Sequence, residues 1–136
     1  MEDDRPQAGL LADALKLYGH SVEVTYSGTD AWKALESEPF DLLLTDLHVG
    51  GSVEVALGEG GIALIANVRN PSERATNYDS LRKLKIIAMT GGGQLTKGYD
   101  VLDLADSFGA DLCLRKPVSL QDLSSAIKSL LLRSQI

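Results

Sequence analysis

Phe40-Asp41-Leu42-Leu43-Leu44-Thr45-Asp46 is an apolar run that ends in a carboxylate. It is short and almost continuously apolar from Leu42, which suits a strand covered on both faces. Two later stretches share its form. Lys85-Ile86-Ile87-Ala88-Met89 runs into Thr90, and Asp111-Leu112-Cys113-Leu114-Arg115 runs into Lys116-Pro117. Segments with helical spacing separate the three. Strands alternating with helices predict right-handed βαβ units and an α/β fold with a mostly parallel sheet. All strands of such a sheet end on one edge, and ligands bind outside that edge where the strand order reverses. Asp46, Thr90 and Lys116 are therefore expected to meet there.

Working outward, Leu10, Leu11, Ala14, Leu15 and Tyr18 recur at helical spacing and Gly19 closes the pattern. Ser21-Val22-Glu23-Val24-Thr25-Tyr26-Ser27 alternates and is rich in β-branched residues, predicting a strand. Asp30 is expected to cap a short helix carrying Ala31, Trp32, Ala34 and Leu35. Gly50 to Gly61 is a glycine-framed segment around Val53–Leu57, a candidate extended piece. A helix is predicted over Ile62–Arg69, ending near Asn70-Pro71. Weak helical character follows over Ser72–Leu84. After the turn Gly91-Gly92-Gly93, helices are predicted over Tyr99–Phe108 and beyond Ser119, its cap, with Leu123, Ala126, Ile127, Leu130 and Leu131 on one face.

The 136 residues are expected to form a single domain, 1–136. A net charge of −6 disfavours direct binding to nucleic acid or an anionic membrane. No apolar stretch approaches the roughly 20 residues of a membrane helix. The acidic start, Glu2-Asp3-Asp4, is not that of a signal peptide. Cys113 is the one cysteine, which excludes an internal disulfide and points to a reducing cytosol. It reads as a small packing residue, as Trp32 does, rather than a redox centre. Gly91-Gly92-Gly93 lacks the lysine and following helix of a nucleotide-binding loop.

A carboxylate at Asp46 suits a divalent cation or a nucleophile. Glu2-Asp3-Asp4 precedes the first helix, and these acids reach the same edge if a strand carries them. Clustered carboxylates repel unless a cation lies between them, and Mg²⁺ suits oxygen donors while keeping waters for a substrate phosphate. Lys116 offers a fixed positive charge for a phosphoryl oxygen, and Thr90 a hydroxyl donor. Together these parts suit phosphoryl transfer, in which positioning and charge neutralisation dominate.

These residues, in this order and spacing, resemble a response regulator receiver domain of bacterial two-component signalling. The likeness runs from Met1-Glu2-Asp3-Asp4 through Phe40–Leu47, Ile86–Gly91 and Gly109-Ala110-Asp111 to Lys116-Pro117. The resemblance implies a flavodoxin-like doubly wound parallel sheet of strand order 2-1-3-4-5, and a cytoplasmic protein. It implies that Asp46 accepts a phosphoryl group from a sensor histidine kinase or phosphotransfer protein. It implies Mg²⁺ held by Glu2 (through water), Asp3, Asp46 and the backbone carbonyl of His48. Thr90 would be the switch hydroxyl, Lys116 the ion-pairing partner, and Lys116-Pro117 a cis bond.

The chain departs from that family in four places. Only Met1 stands before Glu2, where receivers carry a central apolar strand. An upstream segment, Val53–Leu57 or a strand of another copy is expected to fill that slot. Gly50 stands where a proline is expected, the Gly50–Gly61 stretch is long, and Cys113 occupies the position of the switch aromatic. Output is expected through contact with a downstream protein target, with a homodimer possible. A non-phosphorylated receiver acting as an interaction module is the alternative. An aspartate-nucleophile phosphatase is disfavoured because His48 stands where the acid/base aspartate would be. His20 and the His48 side chain are expected to play no catalytic part.

Overall fold

The structure, a computed structural model, describes residues 1–2, 4–47, 60–91 and 101–133. Six helices and three strands alternate along them: α1 (Arg5–Leu17), α2 (Gly28–Ser37), β1 (Leu42–Asp46), α3 (Gly61–Arg69), α4 (Tyr78–Lys83), β2 (Lys85–Thr90), α5 (Val101–Phe108), β3 (Leu112–Arg115) and α6 (Leu120–Arg133). The strands form a parallel sheet in the order β1-β2-β3. Thr45 pairs with Ala88, and Ala88 with Cys113. This is the parallel α/β arrangement that the alternation predicts, and its three strands match the 3-4-5 part of the flavodoxin-like order 2-1-3-4-5 that the resemblance implies.

Both faces of the sheet are covered, as the continuous apolar strands require. On one face Leu43, Ile86 and Ala88 join a core with Leu35 of α2, Ile62, Ile65 and Val68 of α3, and Ala105 of α5. On the other, Ile87 and Met89 pack with Leu15 of α1 and Leu123, Ile127 and Leu130 of α6.

The α1 helix starts at Asp4, whose carboxylate accepts a hydrogen bond from Gln7 N at 3.1 Å. Its buried stripe is Ala8, Ala12 and Leu15, while Leu10 and Tyr18 face water. Several helical stripes are legible in this segment, and the one with small residues lets the helix approach the sheet closely. The α2 cap is Ser27, not Asp30. Ser27 is still extended and its Oγ accepts from Asp30 N at 3.1 Å, so Asp30 already lies in the first turn. Ser119 caps α6 as expected, accepting from Asp122 N at 3.0 Å.

The predicted strand Ser21–Ser27 does not form. Among the described residues its one backbone link to the slot beside β1 is Glu2 N to Thr25 O, at 3.1 Å. A strand needs a neighbour to exchange hydrogen bonds with along its length, and among the described residues only Glu2 meets this segment in that way. Met1 and Glu2 occupy the end of the slot: Met1 N donates to Leu44 O at 2.6 Å, and Asp46 N donates to Met1 O at 2.8 Å. That pair of bonds is one rung of a parallel ladder, with Met1 opposite Thr45. Val53–Leu57, the other candidate for the slot, lies outside the described residues.

Opposite the functional edge, Arg69 ties three elements together. It donates to Gly109 O (2.8 Å), Leu84 O (2.7 Å) and Asp111 Oδ2 (2.7 Å), and Asp111 Oδ2 also accepts from Ile86 N at 2.7 Å. Gly109 has φ +111°, and a Cβ there would sit 2.6 Å from Arg69 Cγ.

Candidate functional site

Three strand ends converge as predicted. Asp46 closes β1 and is 7% exposed, while Thr90 closes β2 and is 2% exposed. Lys116 follows β3, and its backbone N donates to Thr90 O at 2.8 Å, which extends the ladder by one residue. The Lys116-Pro117 bond is cis. Beyond β1, Leu47 N donates to Met89 O at 2.7 Å and keeps the Asp46 backbone in register with β2. Gly61 lets α3 start against this strand end. A Cβ at Gly61 would lie 2.5 Å from the carbonyl oxygen of Asp46.

The side chains meet at Lys116 Nζ. It lies 3.0 Å from Glu2 Oε2, 3.4 Å from Asp46 Oδ1 and 2.7 Å from Gln7 Oε1. One ammonium thus bridges two carboxylates far apart in sequence, Glu2 ahead of α1 and Asp46 at the end of β1. Glu2 is 5% exposed, and its other oxygen accepts from Asp4 N at 3.2 Å. Burial pushes the Glu2 carboxyl above its usual range; the Lys116 hydrogen bond opposes that rise, and the charge of Asp46 reinforces it. Burial pulls the Lys116 ammonium down, but Glu2 and Asp46 outweigh it and the net shift is upward. Burial also lowers the Met1 α-amino group from 8.0 to about 6.

Of the residues read from sequence, the structure brings together Glu2, Asp46, Thr90 and Lys116. Asp3 and His48 lie outside the described residues. Gln7 is a member that sequence reading overlooked. The signal was present in Asp4-Arg5-Pro6-Gln7, a capping-box spacing that sets Gln7 in the first turn of α1 at this edge. Cys113 sits at mid-strand, half-buried. Burial, followed by Asp106 and Asp103, raises its thiol pKa, in keeping with a packing residue.

The donor atoms available for a cation are hard oxygens from Glu2 and Asp46, of the class Mg²⁺ prefers. Among the described residues no cluster of three His, Cys, Asp or Glu side chains forms a cation site. The Lys116 ammonium is the charge that lets the two acids lie together.

The family model for the response regulator receiver domain matches residues 1–128. The chain belongs to that family. The response regulator receiver protein CpdR of Brucella abortus (strain 2308) is similar to this receiver domain, 32% identical over 131 residues, 96% of this chain and 92% of CpdR. The transcriptional regulatory protein TctD of Salmonella typhimurium is 28% identical over 133 residues, 98% of this chain but 50% of TctD. Among solved structures, a CheY-like receiver domain protein from Methanospirillum hungatei JF-1 superposes with a TM-score of 0.76 at 24% identity, over 98% of this chain and 91% of that one. A response regulator from Burkholderia pseudomallei, solved with a phosphorylated aspartic acid, a calcium ion and citrate, has a TM-score of 0.70 at 24% identity. That match covers 98% of this chain and 67% of the other. Receiver-fold neighbours thus span nearly the whole chain. No described helix of this receiver is long and apolar enough to cross a membrane.

Proposed function

We propose that the chain is a phosphorylation-operated signalling switch with Asp46 as phosphoacceptor. The observation that carries this reading is the lysine bridge. Lys116 Nζ stands 3.4 Å from Asp46 Oδ1 at the carboxyl edge of a parallel sheet, with Thr90 buried on the adjoining strand end. An Asp46 oxygen attacks the phosphorus of a phosphohistidine on a sensor kinase or phosphotransfer protein. The P–N bond breaks, its electrons return to the imidazole, which takes up a proton, and an aspartyl phosphate forms. Lys116 then pairs with the new phosphoryl oxygens. The Thr90 hydroxyl is a donor for another, and its reorientation carries the change outward.

In this reading Asp46, Asp3 and the His48 backbone carbonyl would hold Mg²⁺, with Glu2 helping through water, and the cation would supply charge neutralisation for the transfer. The Burkholderia pseudomallei relative, with its phosphorylated aspartic acid and calcium ion, supports the class of chemistry. The domain is not a turnover enzyme beyond taking up the group and slowly losing it. It acts in the cytoplasm through contact with a downstream protein. Charge −6 makes direct nucleic-acid binding unfavourable.

Incubation with Mg²⁺ and a small phosphodonor such as acetyl phosphate tests this. The expected result is a mass increase of one phosphoryl group that Asp46→Asn abolishes. An unchanged mass, with beryllofluoride also producing no spectral change, refutes the switch. That outcome leaves the interaction module, which Cys113 at the switch-aromatic position favours.

A further inference from the structure

Lys116 Nζ is surrounded by three oxygens, and the shortest of the three contacts is to a neutral residue. Gln7 Oε1 lies at 2.7 Å, Glu2 Oε2 at 3.0 Å and Asp46 Oδ1 at 3.4 Å. An ammonium has three donors and no acceptor, so these oxygens saturate it, and the oxygen of the Gln7 amide is the atom that must face it. The ammonium therefore rests closer to α1 than to the carboxylate whose phosphoryl group it would hold.

Gln7 has a plain structural role open to it. It stands three residues after the Asp4 cap, where a glutamine side chain commonly turns back to accept from the N–H of the cap residue. Another group fills that role here: Asp4 N donates to Glu2 Oε1 at 3.2 Å. The Asp4 carboxylate holds Gln7 N at 3.1 Å, and Pro6 fixes the backbone of the same turn, so the amide is presented from a rigid base. The bonds close into a ring. Lys116 Nζ donates to Glu2 Oε2, and the other Glu2 oxygen accepts from Asp4 N. Asp4 Oδ1 accepts from Gln7 N, and Gln7 Oε1 accepts from Lys116 Nζ. Asp46 stands outside this ring and holds the lysine by the longest contact.

We propose that Gln7 is a positioning residue for Lys116, its amide oxygen competing with the phosphoryl group on Asp46 for the ammonium. This rests on the reading of Asp46 as phosphoacceptor. A phosphoryl group brings three strong acceptor oxygens, and a saturated ammonium binds one of them only by giving up a partner. Gln7 is the partner released most easily. It is uncharged and exposed, so water replaces the lysine on its oxygen. Glu2 is charged and buried, and would be left without its cation. Removing the Gln7 acceptor should therefore weaken the resting position of the lysine and favour the phosphoryl-bound one.

The test is the affinity of the full chain for beryllofluoride at saturating Mg²⁺, measured by NMR titration. Gln7→Leu deletes the acceptor and keeps the backbone N–H to Asp4. It should tighten binding by about three- to tenfold, the range for one hydrogen bond to a charged group at an exposed site. Gln7→Glu retains an acceptor and should bind no more tightly than the parent chain. Without beryllofluoride, amine labelling of Lys116 read by mass spectrometry should be about threefold faster or more in Gln7→Leu, and not in Gln7→Glu. Unchanged or weaker beryllofluoride binding by Gln7→Leu overturns the proposal, and means that the ammonium yields its Asp46 contact instead. Equal tightening in Gln7→Glu overturns it too, since the effect would then not follow the acceptor, as does unchanged labelling of Lys116. A parent chain that binds no beryllofluoride overturns the phosphoacceptor reading itself, and this proposal with it.

Discussion

Replacing Lys116 by Met removes the one ammonium that bridges Glu2 and Asp46 while keeping most of the side-chain volume. The side chains of Lys116, Glu2 and Asp46 taken alone are 20%, 7% and 10% exposed, so this is neither a surface pair nor a fully buried one. Breaking a buried pair costs about 3–5 kcal/mol and exposed pairs are worth about 0–1, so a bridge one-fifth open falls near 2 kcal/mol. In a chain of this length that lowers Tm by about 6–10 °C.

The loss should depend on pH, and its direction follows from Glu2. Its folded pKa is raised above 4.5, so the folded state binds the proton more tightly than the unfolded state. Stability from this group is full below 4.5 and declines as pH rises through the folded value. The Lys116 hydrogen bond restrains that rise, so Lys116→Met pushes the Glu2 pKa higher and deepens the decline. Lys116 itself, raised above 10.5, contributes stability that is lost only at more alkaline pH. Urea unfolding of both proteins in EDTA should therefore show a small difference at pH 4.5 and the full loss at pH 7. Equal losses at the two pH values refute the reasoning, because then the bridge energy does not reside in the charge of Glu2. A Glu2→Gln, Lys116→Met double-mutant cycle at pH 7 should give a coupling of about 1 kcal/mol or more.

The Met1 ammonium, lowered from 8.0 to about 6, binds protons more weakly folded than unfolded, so stability should rise between pH 6 and 8 by about 2–3 kcal/mol at most, as read from urea midpoints. A flat profile there, or one unchanged by N-terminal acetylation, counts against it. Gly61→Ala sets a Cβ against the Asp46 carbonyl oxygen and should cost about 1–3 kcal/mol while slowing phosphorylation by acetyl phosphate; unchanged stability would mean that α3 tolerates a wider approach. Arg69→Met removes three hydrogen bonds at the opposite edge and should cost about 2–3 kcal/mol in urea unfolding without altering labelling of Asp46. Millimolar Mg²⁺ should stabilise the fold through binding linkage, by up to about 2.7 kcal/mol at a hundredfold excess over Kd and read as a higher Tm, and Asp46→Asn should remove that gain.

The strands that the sequence announces most clearly are those whose environment is complete. Leu42–Asp46 and Lys85–Thr90 are apolar on both faces and are covered on both faces. Ser21–Ser27 carries an equally clear β pattern, yet it is not a strand, because pairing is a property of neighbours and not of one segment. Asp46, Thr90 and Lys116 were legible because each closes an apolar run, and topology alone sends such ends to one edge. Gln7 was less legible, since a polar residue in a helix's first turn serves equally as a cap or a ligand. Asp30 and Ser27 show the same degeneracy: both are good caps three residues apart, and the backbone chose the earlier one. The Arg69 tie joins residues up to 42 apart in sequence, and no local pattern marks it.

The two halves of the candidate site are held by unequal means. Asp46, Thr90 and Lys116 sit at the ends of paired strands, anchored by the β1–β2 and β2–β3 ladders. Glu2 is held by a two-residue stub whose backbone bonds reach Leu44, Asp46 and Thr25. Its salt bridge with Lys116 is consequently part of what docks the stub, as well as part of the chemistry. Any ligand that needs Glu2 in place binds with an apparent affinity scaled by the fraction of molecules in which the stub is seated. A cation that draws Glu2 toward Asp46 must also separate it from Lys116 Nζ, and so exchanges one restraint for another.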